Sequence, residues 1–436
     1  MRKNYKIVLL AVLLLFVFSF LVQGQETEVT MLYWPGPESE AMQKVVDHYN
    51  DTQGKEDGIQ VEMLQFSRQG FFDKQQTALS AKTKSFDIAF PPTYILGRLA
   101  PNLEPIEPYF EKNGALDNLD IYFDSTLEAM SYNDQLYALP TDVSFHLTFY
   151  RKDLLNELIN NDEWTKKYGE ITEEYLGEKL QPKEAENWTW DDYVGYSLFF
   201  TKSINNESPT RYGTVLQLKN LIFNVMIWDD VLFSYGGKIV ENNKSALNSP
   251  AAEKALDIYM KIINNNATPP SSINYEFAEA NQAVSSGQSA STINYVAAYS
   301  SLTSQEESPQ VYDKIGRASV PAGSEGNKVH IHNLGVGLNK HSDKKDEASQ
   351  FLIYLATKEA MQSYYDNGGL PPVEGVIDEY YAQNIDKYGF SEYIGKETVP
   401  ILEEMAKYLS ETWSNQTGSK EALEKADEAI NKLLAE

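Results

Sequence analysis

Five consecutive segments between Val29 and Phe90 change their hydrophobic period in turn, and that alternation restricts the chain to one class of fold. "VTMLYW" is an apolar run of strand length, and "ESEAMQKVVDHYN" places Ala41, Val45, Val46 and Tyr49 at helical intervals. "IQVEMLQF" alternates as a strand does, "FFDKQQTALSAK" reads as a helix, and "FDIAF" as a further strand. Strand, helix, strand, helix, strand predicts an α/β domain with a largely parallel sheet. Ligands of such sheets bind at the carboxyl ends of the strands. Those ends are Tyr33-Trp34, followed by Pro35-Gly36, and Phe90, followed by Pro91, Pro92, Thr93 and Tyr94.

Farther along, "QLYALPTDVSFHLTFY" is too long for an ordinary strand and carries Pro140 in its middle. Proline removes a ladder hydrogen bond, so the segment is expected to pass between two domains. Arg151 to Asn187 has poor periodicity and is expected to form helical and loop decoration. "NWTWDDYVGYSLFFTK" reads as a helix capped by Thr189, with Asp191 and Asp192 in its first turn. "NSPAAEKALDIYMKII" starts on Ser249 and Pro250 as cap and first helical residue. "SASTINYVAAY" and "LGVGLNK" read as strands, "KDEASQFLIYLATKEAMQSYY" as one amphipathic helix, and a terminal helix starts near Ser419. No repeat or low-complexity linker divides the chain, so two lobes built from interleaved segments are expected.

At the amino terminus Arg2, Lys3 and Lys6 precede the apolar run Ile7 to Val22, which ends at Gly24. The pattern is that of a secretory signal peptide cut after Gly24; the run is shorter than the ~20 residues of a spanning anchor. Removing residues 1–24 takes away three cations and no anion, so the formal charge goes from -26 to -29. So acidic a chain argues against nucleic acid and anionic lipid surfaces as partners. The chain has no cysteine, which excludes disulfides, thiolate metal sites and a lipid-modified cysteine. A free periplasmic protein is therefore expected. Aromatic residues make up 12% of the chain, with 28 tyrosines. They serve equally as core or as a sugar-binding cleft, where rings cover the apolar faces of pyranoses and hydroxyls bond to their edges.

Several segments together resemble the bacterial extracellular solute-binding proteins of ABC importers, in the sugar-binding family that includes maltose, trehalose and glycerol-phosphate binders. They are "VTMLYW", "FDIAF", "LEPIEPYF", "YNDQLYALP" with "FYRKDLL", "WTWDDY", "FSYGGKIVENNKSALNSPAAEKALDIY", "NQAVSSGQSASTINY" and "LGVGLNKHSDKKDEASQFLIYLATKEAMQSYYDNGGLPP". They occur in the family's order and span nearly the whole chain after residue 24. The resemblance implies a type II periplasmic-binding-protein-like α/β fold, two lobes joined by a multi-strand hinge with the ligand cleft between them. It places residues 25–140 plus 321–369 in one lobe and 141–320 plus 370–436 in the other, with crossovers near Pro140-Thr141, Val320-Pro321 and Gly369-Leu370. It implies a protein whose lobes close on a solute and whose closed form is recognised by a membrane permease; a monomer without metal or other cofactor is expected.

The same resemblance selects candidate ligand contacts. Trp34 is the first stacking candidate, the alternative being a plug against its own lobe; Tyr94 lies on a loop that faces ligand in relatives. Asp142 follows the crossover and offers a carboxylate to hydroxyls, or is a solvated hinge residue. Trp228 and Asp229, with Asp230 beside them, fall on a second-lobe helix where relatives carry an aromatic. Tyr295, supported by Asn294, ends a strand. His332 and Asn333 replace a glycine pair, so side-chain contacts are expected there instead of backbone ones. Gly368 and Gly369 permit close backbone approach, and Trp413 is either a further aromatic of the site or core.

Arg68, Arg98, Arg151, Arg211 and Arg317 are scattered, which disfavours an anionic ligand and leaves a neutral di- or oligosaccharide as the expected cargo. A polyamine, a peptide or a glycerol phosphodiester remains an alternative cargo, and a secreted glycosidase the enzyme alternative, for which an acidic pair is always available in so acidic a chain. His330 with His332, Tyr364-Tyr365 and Tyr380-Tyr381 would be the ligands of a metal carrier, but read more simply as strand and helix packing.

Overall fold

The computed structural model describes residues 26–67, 70–391 and 393–435. The signal-peptide expectation for residues 1–24 and the position of Arg68 lie outside them. Among the described residues the largest sheet has nine strands: β1 (Thr27–Tyr33), β2 (Ile59–Gln65), β3 (Ile88–Ala89), β4 (Leu103–Glu104), β5 (Leu139–Arg151), β6 (Ser291–Tyr295), β7 (Ile315–Ala318), β8 (Val329–Asn339) and β9 (Gly389–Phe390). Its main order is β6-β5-β8-β3-β1-β2.

β1 pairs in parallel with both β2 and β3, as the alternating segments predict. Two helices make the crossovers, α1 (Pro37–Asp51) and α2 (Phe71–Ser80). Ala41, Val45, Val46 and Tyr49 of α1 are all buried, because residues three and four apart share one face.

β5 and β8 run antiparallel through the middle of the sheet, from Val336 opposite Leu139 to Ile331 opposite Phe145. Pro140 does sit inside β5, and the register explains how. Leu334 faces Asp142 while Gly335 faces Pro140, so Thr141 is an extra residue on β5 and the ladder bulges there. A bulge is where a strand tolerates a residue without an N–H. Thr141 Oγ1 donates to Leu334 O at 3.2 Å and ties the bulge to its partner.

Beyond the short helices at Leu96–Leu99, Glu107–Lys112 and Asp124–Glu128 and the pair at Lys152–Asn160 and Asp162–Leu176, the helices that follow are α3 (Trp190–Phe199), α4 (Ile222–Ser234), α5 (Pro250–Asn264), α6 (Phe277–Ser285), α7 (Ala298–Leu302), α8 (Lys345–Leu355), α9 (Lys358–Asp366), α10 (Glu379–Tyr388), α11 (Thr398–Trp413) and α12 (Ser419–Leu434). The Thr189 cap is real: its hydroxyl accepts from Asp192 N while Asp192 Oδ2 accepts from Thr189 N, a reciprocal capping box. Ser249 likewise accepts from Ala252 N, with Pro250 first in the helix. The Arg151–Asn187 region is mostly two helices, Lys152–Asn160 and Asp162–Leu176.

Two expectations are corrected. The single helix expected over 345–365 is two, α8 and α9, because Thr357 caps the second: its Oγ1 accepts from Ala360 N at 3.2 Å. A threonine that bonds the backbone in this way ends one helix and starts another. The strand expected through "SASTINYVAAY" stops at Tyr295, and the chain turns into α7.

Candidate functional site

A cavity of about 580 Å³ opens at the carboxyl ends of β1 and β3. Trp34 and Glu38 come to its wall from the β1–α1 junction, and Tyr94 from the segment after β3. Asp142, Val143 and Ser144 of β5 and His332 and Leu334 of β8 lie on it as well. The opposite wall is Phe223 of α4, Val296 and Ala297 after β6, and Tyr299 and Ser300 of α7; Gly368, Gly369 and Leu370 after α9 and Tyr381 of α10 complete it. Residues as far apart in sequence as Trp34 and Tyr381 therefore meet around one space.

Trp34 is braced by rings. Phe71, Phe72 and Phe90 stand against it at centroid distances of 5.9, 5.2 and 5.3 Å, each steeply inclined to the indole. Edge-to-face packing of this kind fixes a side chain's orientation before any ligand arrives. Tyr94 contacts Phe72 at 5.8 Å, His332 at 6.0 Å and Phe223 at 5.9 Å. Its contact with Phe223 joins the β3 side of the cavity to α4 on the other.

On the far wall Tyr299 and Tyr381 share one cation. The guanidinium of Arg317, on β7, lies 5.0 Å from the Tyr299 ring centroid, 4.7 Å from that of Tyr381 and 4.8 Å from that of Tyr380. Asp378 holds the guanidinium from outside at 3.2 Å. Arg317 is thus absorbed by the tyrosines behind the wall rather than presented to the cavity. Among the described residues the wall carries two carboxylates, Glu38 and Asp142, and no lysine or arginine.

Asp142 Oδ2 accepts from the Tyr364 hydroxyl at 2.9 Å and from Leu370 N at 2.8 Å. Burial pushes its pKa from 3.8 up to about 7; the Leu370 N–H opposes the rise, the nearby Glu38 charge adds to it, and the Tyr364 hydroxyl opposes it. The folded state thus binds this proton more tightly than the unfolded one, so stability from this group is present below pH 4 and is lost as pH rises towards 7. Asp142→Asn keeps an acceptor for both donors and removes the charge. Its melting temperature is expected to exceed that of the wild type at pH 8 and to match it near pH 4. A variant that melts below the wild type at pH 8 would show that the carboxylate is stabilised there as an anion.

Gly369 is required by packing: a Cβ there would lie 2.1 Å from the Tyr364 ring. Gly368 has φ +98°, where side chains are strained. The two glycines thus let the chain turn between α9 and the cavity wall while Tyr364 stays on Asp142.

Four of the eight residues expected from sequence therefore line this cavity: Trp34, Tyr94, Asp142 and Gly369. Tyr295 does not; it lines a smaller neighbouring cavity, and its hydroxyl donates to Phe223 O at 2.8 Å. Trp228 and Asp229 are corrected. Both are fully buried on α4, which packs against β8, α5 and α11. The stretch "VMIWDDVL" is apolar on every face, the mark of a buried helical segment, and only the first turn of α4, at Phe223, reaches the cavity. Asp230 is buried too: Oδ2 pairs with His146 Nδ1 at 2.9 Å and Oδ1 accepts from His330 N at 2.7 Å. Burial holds the Asp230 pKa well above and the His146 pKa well below their usual values.

Asn333 is corrected by one residue. Successive residues of β8 point to opposite faces, so His332 and Leu334 meet the cavity while Asn333 turns away. Its Nδ2 donates to Thr126 O at 2.9 Å, and its backbone N to Thr93 Oγ1 at 2.9 Å. Trp413 is core, stacked on Tyr259 at 5.6 Å. Glu38, Phe223 and Tyr299 line the cavity although the sequence does not single them out, and Tyr381, expected as helix packing, lines it too. Glu38 had a usable signal, four residues after Trp34 at a strand end; the others are brought in by remote segments.

This geometry can be set against known proteins. The sequence model described as "Bacterial extracellular solute-binding protein" matches residues 35–362. The chain belongs to that family. A Sinorhizobium fredii protein described as a "Probable amino-acid ABC transporter periplasmic-binding protein" is 25% identical over 322 residues, 72% of this chain. The chain spans between 54% and 66% of the length of the curated relatives it matches. Solved members of the fold align across nearly the whole chain. The maltose-bound MalE3 of T. maritima superposes with a TM-score of 0.71 at 22% identity, covering 93% of this chain and 100% of that one. The sugar-binding protein MalE of Xanthomonas citri gives 0.74 at 17% identity, covering 94% and 98%. This solute-binding family member therefore has the type II periplasmic-binding-protein fold, as the ordered motifs imply. Among the described residues no helix is long and apolar enough to cross a membrane.

Proposed function

We propose that the protein is the exported solute-binding subunit of an ABC importer, which captures a neutral di- or oligosaccharide and delivers it to a membrane permease. The observation that carries this reading is the cavity wall: Trp34, Tyr94, Phe223, Tyr299 and Tyr381 supply ring surface, Asp142, Glu38, Ser144 and Ser300 supply hydrogen-bonding groups, and no cation lies among them. Pyranoses need both kinds of surface, apolar for their ring faces and polar for their hydroxyls. A carboxylate offers a hydroxyl a charge-assisted bond, among the stronger ones available.

The lobes of this reading are residues 25–140 plus 321–369 and 141–320 plus 370–436, with residues 1–24 as the export signal. This division is supported by the hydrogen bonds of Asp142 and Val143, beside the Thr141 bulge, with Leu370, which link the segments where two of the three crossovers are proposed. Closure about them is a population shift driven by the solute's contacts with both lobes, with no covalent step. The protein works as a monomer in the periplasm, with neither catalysis nor a cofactor.

A cationic solute is the second reading, favoured by the pairing of Glu38 and Asp142 with aromatic rings. A thermal-shift screen against mono-, di- and trisaccharides, polyols, glycerol phosphodiesters, polyamines, peptides and amino acids separates the two readings, because a ligand bound only by the folded state raises the melting temperature. Response to one sugar class, without turnover of that sugar, is the expected result. Response confined to polyamines or amino acids would overturn the carbohydrate reading and keep the carrier.

A further inference from the structure

We infer that the ligand site has a second chamber, reached past Phe223, that takes a second sugar ring of the same ligand. The inference rests on the carbohydrate reading above and assigns residues that reading does not use. A cavity of about 260 Å³ adjoins the main one and shares Ser144, Phe223, Ala297 and His332 with it, so the two are contiguous. Phe223 stands between them with 40% of its surface exposed, held to one side by Tyr94.

The second chamber is built for a hydroxyl donor with an apolar body. Gln217 lines it and is only 4% exposed. A chain of amides sets the orientation of Gln217. Asn294 Nδ2 donates to Asn281 Oδ1 at 2.8 Å, which turns Asn294 Oδ1 to Gln217 Nε2 at 2.9 Å. Gln217 Oε1 is the end of that chain and has no hydrogen-bond partner among the described residues. A buried acceptor left unmade is costly; Oε1 has almost no accessible surface, so a donor arriving in the chamber relieves the cost once the Gln217 side chain turns towards it. Around it stand Phe223, Phe277 and Tyr295, the last two 6.5 Å apart. Aromatic surface beside a buried acceptor suits a pyranose unit, one face covered and one hydroxyl bound.

A ring in this chamber must continue from the main cavity across the paired residues Ser144 and His332 and past Phe223, so the preferred ligand has at least two rings. The test titrates the wild type, Gln217→Met, Phe277→Ala and Trp34→Ala with mono-, di- and trisaccharides of the sugar series that raises the melting temperature. The wild type is expected to bind the disaccharide more tightly than the monosaccharide. Gln217→Met and Phe277→Ala should each weaken the disaccharide by roughly three- to tenfold and leave the monosaccharide unchanged, the size of one lost hydrogen bond or ring contact. Trp34→Ala should weaken both.

Phe277 is 37% exposed, so its variant keeps the test informative if Gln217→Met folds poorly. Disaccharide binding that depends on Trp34 but is indifferent to Gln217 and Phe277 would overturn the second chamber and leave the carrier reading intact. Equal loss for mono- and disaccharide in the two chamber variants would overturn it as well. Absence of any sugar binding by the wild type would remove the carbohydrate reading and this inference with it.

Discussion

Trp34→Ala is expected to weaken solute binding by about 1–3 kcal/mol, roughly 5- to 150-fold in Kd, with the fold retained. The indole is already fixed by Phe71, Phe72 and Phe90 before the ligand arrives, so stacking on it costs little side-chain entropy. Alanine removes the ring surface from the wall position that follows β1, at the strand ends where ligands of such sheets bind. Phe at this position restores part of the surface and should recover part of the affinity. Isothermal titration with the solute identified by thermal shift reads both variants. Unchanged affinity in Trp34→Ala would mean that the indole only plugs the strand end, and the site would have to be moved away from β1.

Trp228→Ala makes the opposite split. Its side chain is fully buried on α4, where Val225, Met226, Val231 and Leu232 are buried with it. Truncation of a buried tryptophan removes its transfer free energy and leaves a cavity that the neighbours close only in part, a cost of about 3–5 kcal/mol. α4 also carries Asp230, whose carboxyl joins His146 of β5 and His330 of β8, so disturbance of α4 reaches the two central strands. Urea unfolding is expected to give a lower midpoint with little change in slope, the signature of lost stability without a changed unfolded state. Affinity measured where the variant is folded should stay close to the wild-type value. A variant of normal stability with lost binding would return Trp228 to the ligand site.

The contrast between the two tryptophans shows how far the site could be read from the chain. That Trp34 lines the cavity is legible from position alone: it follows the first strand of an α/β unit, and the cavity opens at the strand ends. For Trp228 the family resemblance points to the site, yet its own neighbours argue for burial: the helix is apolar all round from Val225 to Leu232, and only its first turn, at Phe223, meets the cavity. Asn333 and His332 differ by a single step along β8, and the choice between them depends on which face of the strand is turned to the cavity. The bulge at Thr141 shifts the register of that pairing, and nothing local to residues 332 and 333 announces it.

The kinds of element and many of their ends follow from local sequence. Thr189 with Asp192, Ser249 with Pro250, and the alternation from Val29 to Phe90 act through contacts within a few residues, so their outcome is written locally. The family motifs, taken in order, carried the two-lobe fold as well. Only the tertiary structure decided the composition of the cavity wall. Trp34, Asp142, Phe223, Tyr299 and Tyr381 come from segments far apart in the chain, and each is placed by packing against residues it does not neighbour in sequence. Long-range packing selects which aromatic is buried and which lines a cavity, because hydrophobic burial rewards any partner of suitable shape and is blind to sequence separation.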